Sequence, residues 1–372
     1  MTRTLIIGAG ITGAATAHLL AGKGHDVEIA EIGEELRVLG SGITLISPAL
    51  RALDRLGVLD ECMEHGYGVS EFTCLDIDGQ ELFTFPLPTL GDNMPGIVGM
   101  LRPTLHQILL DHALAAGAKV RTGIGPTSIT NTEDGVQVTF TDGTEGSYDL
   151  VLGADGLNST VRAMLFTQEK PVFREQGCLR AVVAKPAGLG DREHDFSGDP
   201  IAHPGFTITG PDSMYVYCNV PAADTSRPAQ ADLPRIMRDF LAPYGGVMNE
   251  VRESITDPEK VNYALYETIV TPKPWHQGRV ALIGDAAHST TPQLAAGGAM
   301  CLEDVVVLGE ELDRAGSIPE ALAAFTERRY ERCKFVVDTS VQIAAWQLRP
   351  DTPGAEPEVV RENAFNVLAQ PF

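Results

Sequence analysis

The chain has 372 residues, 44% of them hydrophobic, which is enough for one large domain or two interleaved domains around a substantial core. Its net charge of −22 argues against a partner that presents a phosphate backbone, so we expect no nucleic-acid partner. No apolar run is long enough to span a bilayer, so we expect no membrane partner. Six scattered cysteines without a CxxC pair predict reduced thiols in the cytoplasm and no metal site.

The first motif is a glycine-rich turn between a predicted strand at residues 4–7 and a predicted helix at residues 12–23. Its first glycine turns the chain, its second lets the backbone approach a pyrophosphate, and its third lets the helix pack closely on the sheet. The N-terminal amides and the dipole of the helix face the phosphates. The predicted cofactor contacts are Gly8, Gly10, Ile11, Thr12 and Gly13.

An acidic residue completes this βαβ pattern. A second predicted strand, residues 26–30, ends in Glu31, 18 residues beyond Gly13. A carboxylate at this position suits the two hydroxyls of an adenosine ribose and repels a 2′-phosphate. A ligand-free glycine-rich turn is the alternative, but the strand, helix, second strand and acid together favour a dinucleotide.

The rest of the chain alternates between helical and strand-like periods. Residues 47–65 and 101–118 have helical spacing, and two hairpins are predicted, with turns at Asp78-Gly79 and Asp142-Gly143. Residues 166–275 predict an antiparallel sheet with one helix at residues 233–241. The chain is then mostly helical to about residue 348, and a polar, proline-bearing tail follows.

Two further glycine motifs follow apolar runs that read as buried strands. Gly153-Ala154-Asp155-Gly156 comes after residues 150–152, and Gly284-Asp285-Ala286-Ala287-His288 comes after residues 280–283. Such strand ends are where an α/β sheet binds a nucleotide, so three distant segments indicate one large ligand. The two aspartates could instead be helix N-caps. We expect His288 to be structural, because nothing in the sequence gives it a partner.

With their flanks at residues 153–162 and 275–304, the three motifs resemble the flavin-dependent aromatic hydroxylases, single-component monooxygenases that share the p-hydroxybenzoate hydroxylase fold. The resemblance implies an α/β fold in which a Rossmann-like FAD-binding domain is interleaved with a β-sheet-rich substrate domain, followed by C-terminal helices. The FAD-binding domain would comprise residues 1–70, 101–165 and 276–349. The substrate domain would comprise residues 71–100 and 166–275, with a C-terminal tail at 350–372.

The resemblance also implies cofactor contacts. Asp285 would bind the ribityl chain or the pyrophosphate region, and Asp155-Gly156 would serve both FAD and the pyridine nucleotide. Pro292 and Gly297-Gly298 would open a helix whose amides face the flavin pyrimidine. Two arginines would lie near the cofactor, Arg37 and Arg102. One departure is Ala295-Ala296, where the family often has glycine and glutamine.

The activity implied is insertion of one oxygen atom of O2 into an aromatic or heteroaromatic small molecule. NADPH or NADH would reduce FAD, and a flavin C4a-hydroperoxide would transfer the oxygen. An oxidase, an epoxidising or Baeyer–Villiger enzyme and a non-catalytic flavin-binding protein stay open. A halogenase is disfavoured, since only two tryptophans are present and the Trp-x-Trp-x-Ile-Pro segment is missing. Without a second GxGxxG pattern, we expect the nicotinamide to dock transiently.

Substrate contacts are expected on the β-rich part of the chain. Tyr215 and Tyr217 share one face of their predicted strand, because side chains alternate along a strand. A phenolate substrate would favour a nearby base or cation, such as His203 or Arg180. The full set of substrate candidates is Arg180, His203, Phe206, Met214, Tyr215 and Tyr217. The sequence predicts neither a catalytic residue nor an oligomeric state.

Overall fold

The computed structural model describes residues 1–36, 41–89, 94–198 and 202–372. Its strands are β1 Arg3–Ile7, β2 Asp26–Ala30, β3 Gly42–Ile46, β4 Tyr67–Val69, β5 Glu71–Leu75, β6 Glu81–Pro86, β7 Ile97–Leu101, β8 Lys119–Arg121, β9 Pro126–Asn131, β10 Val136–Phe140, β11 Glu145–Tyr148, β12 Leu150–Gly153, β13 Val172–Ala184, β14 Glu193–Phe196, β15 His203–Gly210, β16 Ser213–Pro221, β17 Val261–Val270, β18 His276–Gln277, β19 Val280–Leu282 and β20 His288–Ser289. Its α-helices are α1 Ile11–Gly22, α2 Ser47–Arg55, α3 Leu59–His65, α4 Arg102–Ala115, α5 Thr160–Leu165, α6 Leu233–Leu241, α7 Met248–Ser254, α8 Gly297–Arg314, α9 Ile318–Leu348 and α10 Pro357–Leu368.

A six-stranded sheet, in the order β18-β19-β12-β1-β2-β8, brings the three glycine motifs together. β1 pairs in parallel with β2 and with β12, and β12 pairs in parallel with β19. Ile7 lies opposite Gly153, and Gly153 lies opposite Leu282. Because parallel strands end at the same edge of a sheet, each motif continues from an adjacent strand end. The predicted convergence on one ligand is therefore a consequence of strand order.

A second, eight-stranded sheet has the order β20-β17-β13-β16-β15-β14-β5-β6. All its pairings are antiparallel except that of β14 with β5, so the predicted antiparallel sheet is confirmed for most of its width. The predicted helix at residues 233–241 is α6. One face of the sheet packs against α6 and α7 and forms a core separate from that of the six-stranded sheet.

A small antiparallel sheet, β3-β7-β4, packs against the eight-stranded sheet. Its β7 approaches β15 so closely that a Cβ at Gly99 would overlap the carbonyl oxygen of Ile208. The boundary predicted between residues 100 and 101 falls inside β7. The small sheet therefore lies against β15 of the eight-stranded sheet, and its β3 also contacts the helices α2 and α8.

The C-terminal part differs from the predicted tail. α8 and α9 pack together as expected, but residues 357–368 form a further helix, α10, that packs on α9. Ala364 and Leu368 are buried in that contact, and this burial stabilises the helix in a polar segment. Among the described residues, no helix combines the length and apolarity needed to cross a membrane.

Candidate functional site

The first glycine turn leaves open space in front of α1. Gly8 has φ +103°, a left-handed conformation, and a Cβ there would lie 2.5 Å from the carbonyl oxygen of Ala154. A Cβ at Gly13 would overlap the carbonyl oxygen of Gly8. A Cβ at Gly10, in contrast, would meet no protein atom within 4 Å. Gly8 and Gly13 thus serve packing within the protein, whereas Gly10 borders open space, which is compatible with its predicted role at a pyrophosphate.

Glu31 is held at the turn by two backbone amides. Its Oε2 accepts a hydrogen bond from Ala9 N at 2.8 Å, and its Oε1 accepts one from Gly33 N at 2.8 Å. A carboxylate can accept about four hydrogen bonds, so it can still accept from the two hydroxyls of a ribose. His106, on α4, contacts Ala9 O through Nε2 at 2.6 Å and fixes the same turn from the opposite side.

The aspartate of the second motif caps the helix that follows it, α5. Asp155 accepts hydrogen bonds from Ser159 Oγ, Thr160 N and Val161 N at 2.5–3.1 Å, so its carboxylate caps α5. Burial raises the pKa of Asp155 despite these bonds. Gly156 has φ +74° and borders open space. The capping alternative is thus realised for Asp155, and its predicted contacts with FAD and the pyridine nucleotide stay predictions.

Sequence reasoning missed the role of Arg162. Its buried guanidinium donates from Nη1 to Ala286 O at 2.8 Å and from Nη2 to Leu157 O at 2.7 Å. The second and third motifs are therefore joined by one side chain. The arginine stands within the motif that carried the resemblance, but the sequence does not show which carbonyl groups it reaches.

The third motif rests on a buried network around Asp304 of α8. Asp304 Oδ2 accepts from Gly284 N at 2.9 Å and contacts His288 Nε2 at 2.7 Å, and its Oδ1 accepts from Arg329 Nε at 2.7 Å. His288, Asp304 and Arg329 are almost fully buried. His288 is structural, as expected, but it has the partner that the sequence did not reveal.

Charge within this network is balanced by close pairing. Burial by itself would raise the pKa of Asp304, but the neighbouring His288 and Arg329 outweigh it and lower the pKa to about 2. Burial acts against protonated His288 as well, yet Cys333 and Asp304 raise its pKa well above the usual value. Arg329 also donates to Glu303 at 2.8 Å, so its cation is paired twice. The network fixes Gly284, which has φ +60°, and hence the turn that presents Asp285.

Next along the chain, Pro292 begins a short 3-10 turn that leads into α8. Ala295 closes this turn with φ +50°, a left-handed conformation that favours glycine, at the point where the sequence departs from the family pattern. α8 starts at Gly297, and a Cβ at Gly298 would lie 3.0 Å from Ile43 Cδ1 of β3. The N-terminus of α8 therefore lies against β3.

Arg102 stands at the start of α4, with charged neighbours on two sides. Its Nε is buried and has no hydrogen-bond partner among the residues that the structure describes. Burial lowers the pKa of Arg102, and the charge of Arg180 lowers it further, whereas Asp285 raises it. A buried, unpaired guanidinium nitrogen is costly without a ligand. Together with the open space at Gly10, this atom fits the predicted FAD. Arg37 lies outside the described residues.

Strand alternation decides which substrate candidates share one face of the eight-stranded sheet. Arg180 pairs with Tyr217 across β13 and β16, and Tyr215 packs against Gly42 of β3, where a Cβ would overlap its ring. His203 pairs with Asn219, two residues beyond Tyr217, and so lies on the same face. We call the face that carries Arg180, His203, Tyr215 and Tyr217 the site face.

Phe206 and Met214 lie on the other face of the eight-stranded sheet. Both are fully buried in the core that α6 and α7 form on the opposite face of the sheet. The ring of Phe206 packs edge-on against Phe196, with centroids 5.7 Å apart. Because side chains alternate along a strand, the side chains of Phe206 and Met214 lie on the face opposite to that of Tyr215 and Tyr217. Their burial there gives no support to the prediction that either residue contacts a substrate.

Four polar residues on or against the site face were not predicted. Thr44 Oγ1 lies 2.7 Å from Tyr215 OH and 2.9 Å from Thr207 Oγ1, and Thr207 donates to Glu193 Oε1 at 2.6 Å. The fourth, Asp195, accepts a hydrogen bond from Tyr217 OH. These contacts join residues from β3, β14, β15 and β16, and no single segment of sequence contains a signal for them.

Comparison with known proteins settles the family. A family model described as an FAD binding domain matches residues 1–340. The chain belongs to this family. The 2-heptyl-3-hydroxy-4(1H)-quinolone synthase of Pseudomonas aeruginosa is 32% identical over 337 residues, which cover 89% of this chain and 86% of that protein. The 6-hydroxynicotinate 3-monooxygenase of Bordetella bronchiseptica is 29% identical over 347 residues, 90% of this chain and 89% of that protein.

The fold agrees with that assignment. The structure of Klebsiella pneumoniae HpxO complexed with FAD and uric acid matches with a TM-score of 0.85 at 24% identity, covering 99% of this chain and 93% of that one. The predicted family, the interleaved α/β fold class and FAD as cofactor are confirmed, and the chain is an FAD-dependent monooxygenase. The assignment of single residues to FAD stays a prediction.

Proposed function

We propose that this FAD-dependent monooxygenase inserts one atom of O2 into a small aromatic or heteroaromatic molecule with an ionisable hydroxyl or ring N–H, using NADH or NADPH. The observation that carries the proposal is the polar site face, on which Arg180 and Tyr217 are paired across β13 and β16. The charge of Arg180 also lowers the pKa of Arg102. The names of its relatives support it, since they include enzymes for a quinolone, 6-hydroxynicotinate, 3-amino-4-hydroxybenzoate and urate. The division of the chain into cofactor and substrate segments is part of the proposal.

Bound FAD would supply the oxygen chemistry, and the chain would supply binding, orientation and charge. Gly10 and the amides of α1 would hold the pyrophosphate, and Glu31 would hold the adenosine ribose. Arg102 and the amides at the start of α8 would stabilise negative charge on the flavin side.

On the substrate side, Arg180 would hold an anionic or polarised oxygen. Its guanidinium lies among Cys178, Tyr266, Tyr215 and Tyr217, whose electrostatic influence raises its pKa, so it stays charged. Tyr215 contributes a ring face and a hydroxyl fixed by Thr44 at 2.7 Å. β3 packs on the site face where Tyr215 lies against Gly42, and this contact would help to exclude water.

The proposal is tested by turnover with defined compounds. Purified holoenzyme is given NADH or NADPH with 6-hydroxynicotinate, 3-amino-4-hydroxybenzoate, uric acid or 4(1H)-quinolones, with and without an alkyl chain. We expect at least one compound to stimulate nicotinamide oxidation and to gain one oxygen atom, detected by mass spectrometry. Nicotinamide oxidation that yields only hydrogen peroxide, or no stimulation by any compound, contradicts the proposal.

A pair of arginine variants on β13 tests the site itself. We expect Arg180→Ala to raise the KM of the stimulating compound and Arg180→Lys to restore part of the loss. Arg174→Ala is the matched control, since Arg174 Nε donates to Thr268 Oγ1 at 2.7 Å elsewhere on the same strand. Equal effects of Arg180→Ala and Arg174→Ala would remove Arg180 from the substrate site.

A further inference from the structure

The eight-stranded sheet ends in an open edge at β6. This strand pairs with β5 on one side, and no strand of the described residues pairs with it on the other side. Leu87 N donates to Ser70 O, so every second residue counted back from Leu87 bonds to β5, and the residues between them do not. The main-chain N–H and C=O of Thr84 and the C=O of Pro86 therefore point outward from the edge.

The side chains along this edge are aromatic and exposed. Phe83 is 53% exposed and Phe85 is 43% exposed, although large apolar side chains are usually buried. The centroid of the Phe85 ring lies 5.1 Å from that of Phe72 and 6.2 Å from that of Phe83. Cys74 pairs with Phe83 on one side and with Asp195 on the other, so these rings lie on the site face.

The edge has few of the features that keep a strand from pairing with a second chain. Such features are lysines, inward-pointing charges, bulges and prolines. None of residues 83–86 is charged, the one extra residue of β6 is Leu82, and the proline is Pro86. The bulge and the proline thus stand at either side of Thr84, whose main-chain groups are left accessible.

We propose that β6 pairs with β6 of a second copy of this chain, antiparallel and about a twofold axis through Thr84. Thr84 of each copy would donate its N–H to the Thr84 C=O of the other copy, and Phe83 would lie opposite Phe85 of the other copy. Each pair forms twice, because a twofold interface uses the same surface on both copies. The two eight-stranded sheets would join into one, with both site faces on the same side.

Local charge fits a second copy. In this register the two Glu81 carboxylates stand about 20 Å apart, at about 3.4 Å per residue, and neither faces another acid across the strands. Arg192 pairs with Glu71 at 3.0 Å and with Glu81 at 3.2 Å, so the acids beside the edge are already neutralised. The net charge of −22 repels a second copy only at long range, and salt screens that repulsion. The same charge disfavours an anionic membrane.

The area of the patch sets the strength of the pairing. Taking about 200 Å² for each fully exposed side chain, Leu82, Phe83 and Phe85 together expose about 300 Å² per copy. A standard interface buries about 800 Å² per partner. The dimer is therefore expected to be weak, with a Kd of about 1–100 µM, and to tighten as the salt concentration rises.

Sedimentation velocity of the holoenzyme over about 1–200 µM covers this range. We expect the mass to shift from one chain to two, and Phe83→Lys to raise the Kd at least about tenfold, since it removes both aromatic pairs and adds a charge to the edge. Val172→Lys is the matched control, because Val172 is 51% exposed on β13 of the same sheet. Thr84→Pro, which removes the outward N–H, should also weaken the dimer, whereas Thr84→Val should not.

Cross-linking tests the register. The six native cysteines are all buried and free, so an added exposed thiol can be oxidised selectively. Thr84→Cys places two thiols on directly opposite residues, whose Cα atoms lie about 5.5 Å apart, within the range of a disulfide. In Leu82→Cys the two thiols would stand about 14 Å apart. We expect a covalent dimer under mild oxidation for Thr84→Cys and none for Leu82→Cys.

The outcomes are distinct. A holoenzyme that stays monomeric, a dimer that Phe83→Lys does not weaken, or cross-linking of Leu82→Cys in place of Thr84→Cys overturns the pairing. Binding of phosphatidylcholine vesicles by a monomeric protein, abolished by Phe83→Lys, would identify a lipid surface and also overturn it. The Phe83→Lys variant should keep its FAD content and its turnover, so failure of the pairing leaves the proposed function unaffected.

Discussion

Replacing Asp304 with asparagine should loosen the third motif without changing the size of the side chain. In the protein, Asp304 Oδ1 accepts a hydrogen bond from Arg329, while Asp304 Oδ2 accepts one from Gly284 N and contacts His288 Nε2. An asparagine has only one acceptor oxygen, so it can satisfy one of these sides but not both. The fully buried Arg329 would then keep only Glu303 as its charged partner. We expect losses in both stability and FAD binding.

The magnitude follows from the pKa of Asp304, which is lowered to about 2, whereas an unfolded aspartate has a pKa of about 3.9. A difference of about two pKa units corresponds to about 2.6 kcal/mol of stability at neutral pH. Because the folded pKa is depressed, this contribution is present above about pH 4 and is lost as the pH falls towards about 2. Breaking a buried ion pair from one side costs about 3–5 kcal/mol, so we expect a loss of about 3 kcal/mol.

Urea unfolding of the holoenzyme at a fixed FAD concentration measures the loss of stability. FAD fluorescence on dilution measures the loss of FAD affinity. We expect Asp304→Asn to weaken FAD binding about tenfold, equivalent to about 1.4 kcal/mol. Asp313→Asn, on the same helix, is the control, because its ion pair with Lys23 is exposed and contributes at most about 1 kcal/mol. An Asp304→Asn protein as stable as the control, or with unchanged FAD affinity, would refute the reasoning.

Three further substitutions give distinct outcomes. Ala295→Gly should raise the free energy of unfolding by about 1 kcal/mol, because φ at this position is +50°. The control Ala296→Gly, where φ is −98°, should not raise it. Thermal unfolding measures both variants. Gly10→Ala should leave the apoprotein as stable as before and weaken FAD binding at least tenfold, about 1.4 kcal/mol, while Gly13→Ala should destabilise the fold itself. Glu31→Gln should weaken FAD binding about tenfold, as measured by equilibrium dialysis. An unchanged affinity for FAD would contradict a hydrogen bond between Glu31 and the ribose.

The turns of the six-stranded sheet could be predicted from sequence because their information is local. Gly8, Gly10 and Gly13 are fixed by the turn between one strand and one helix, and Glu31 by the end of the next strand. Once parallel strand order is assumed, all such turns fall on the same sheet edge. The sequence could not show which distant residues hold the third motif in place. Asp304 binds Gly284 from 20 residues away, and Arg162 binds Ala286 from 124 residues away.

The site face depends instead on strand register. Alternation along β16 shows that Tyr215 and Tyr217 share a face, but only register places Tyr217 over Gly205 and beside Asp195. β14, the short strand that carries Asp195, pairs with β5 in parallel and has no sequence pattern that predicts it. A slip of β16 by one residue would turn Tyr217 into the α6–α7 core and bring Val216 to the site face. The glycine at position 205 therefore matters for the same reason as Gly10: each leaves room for a group that the local sequence does not contain.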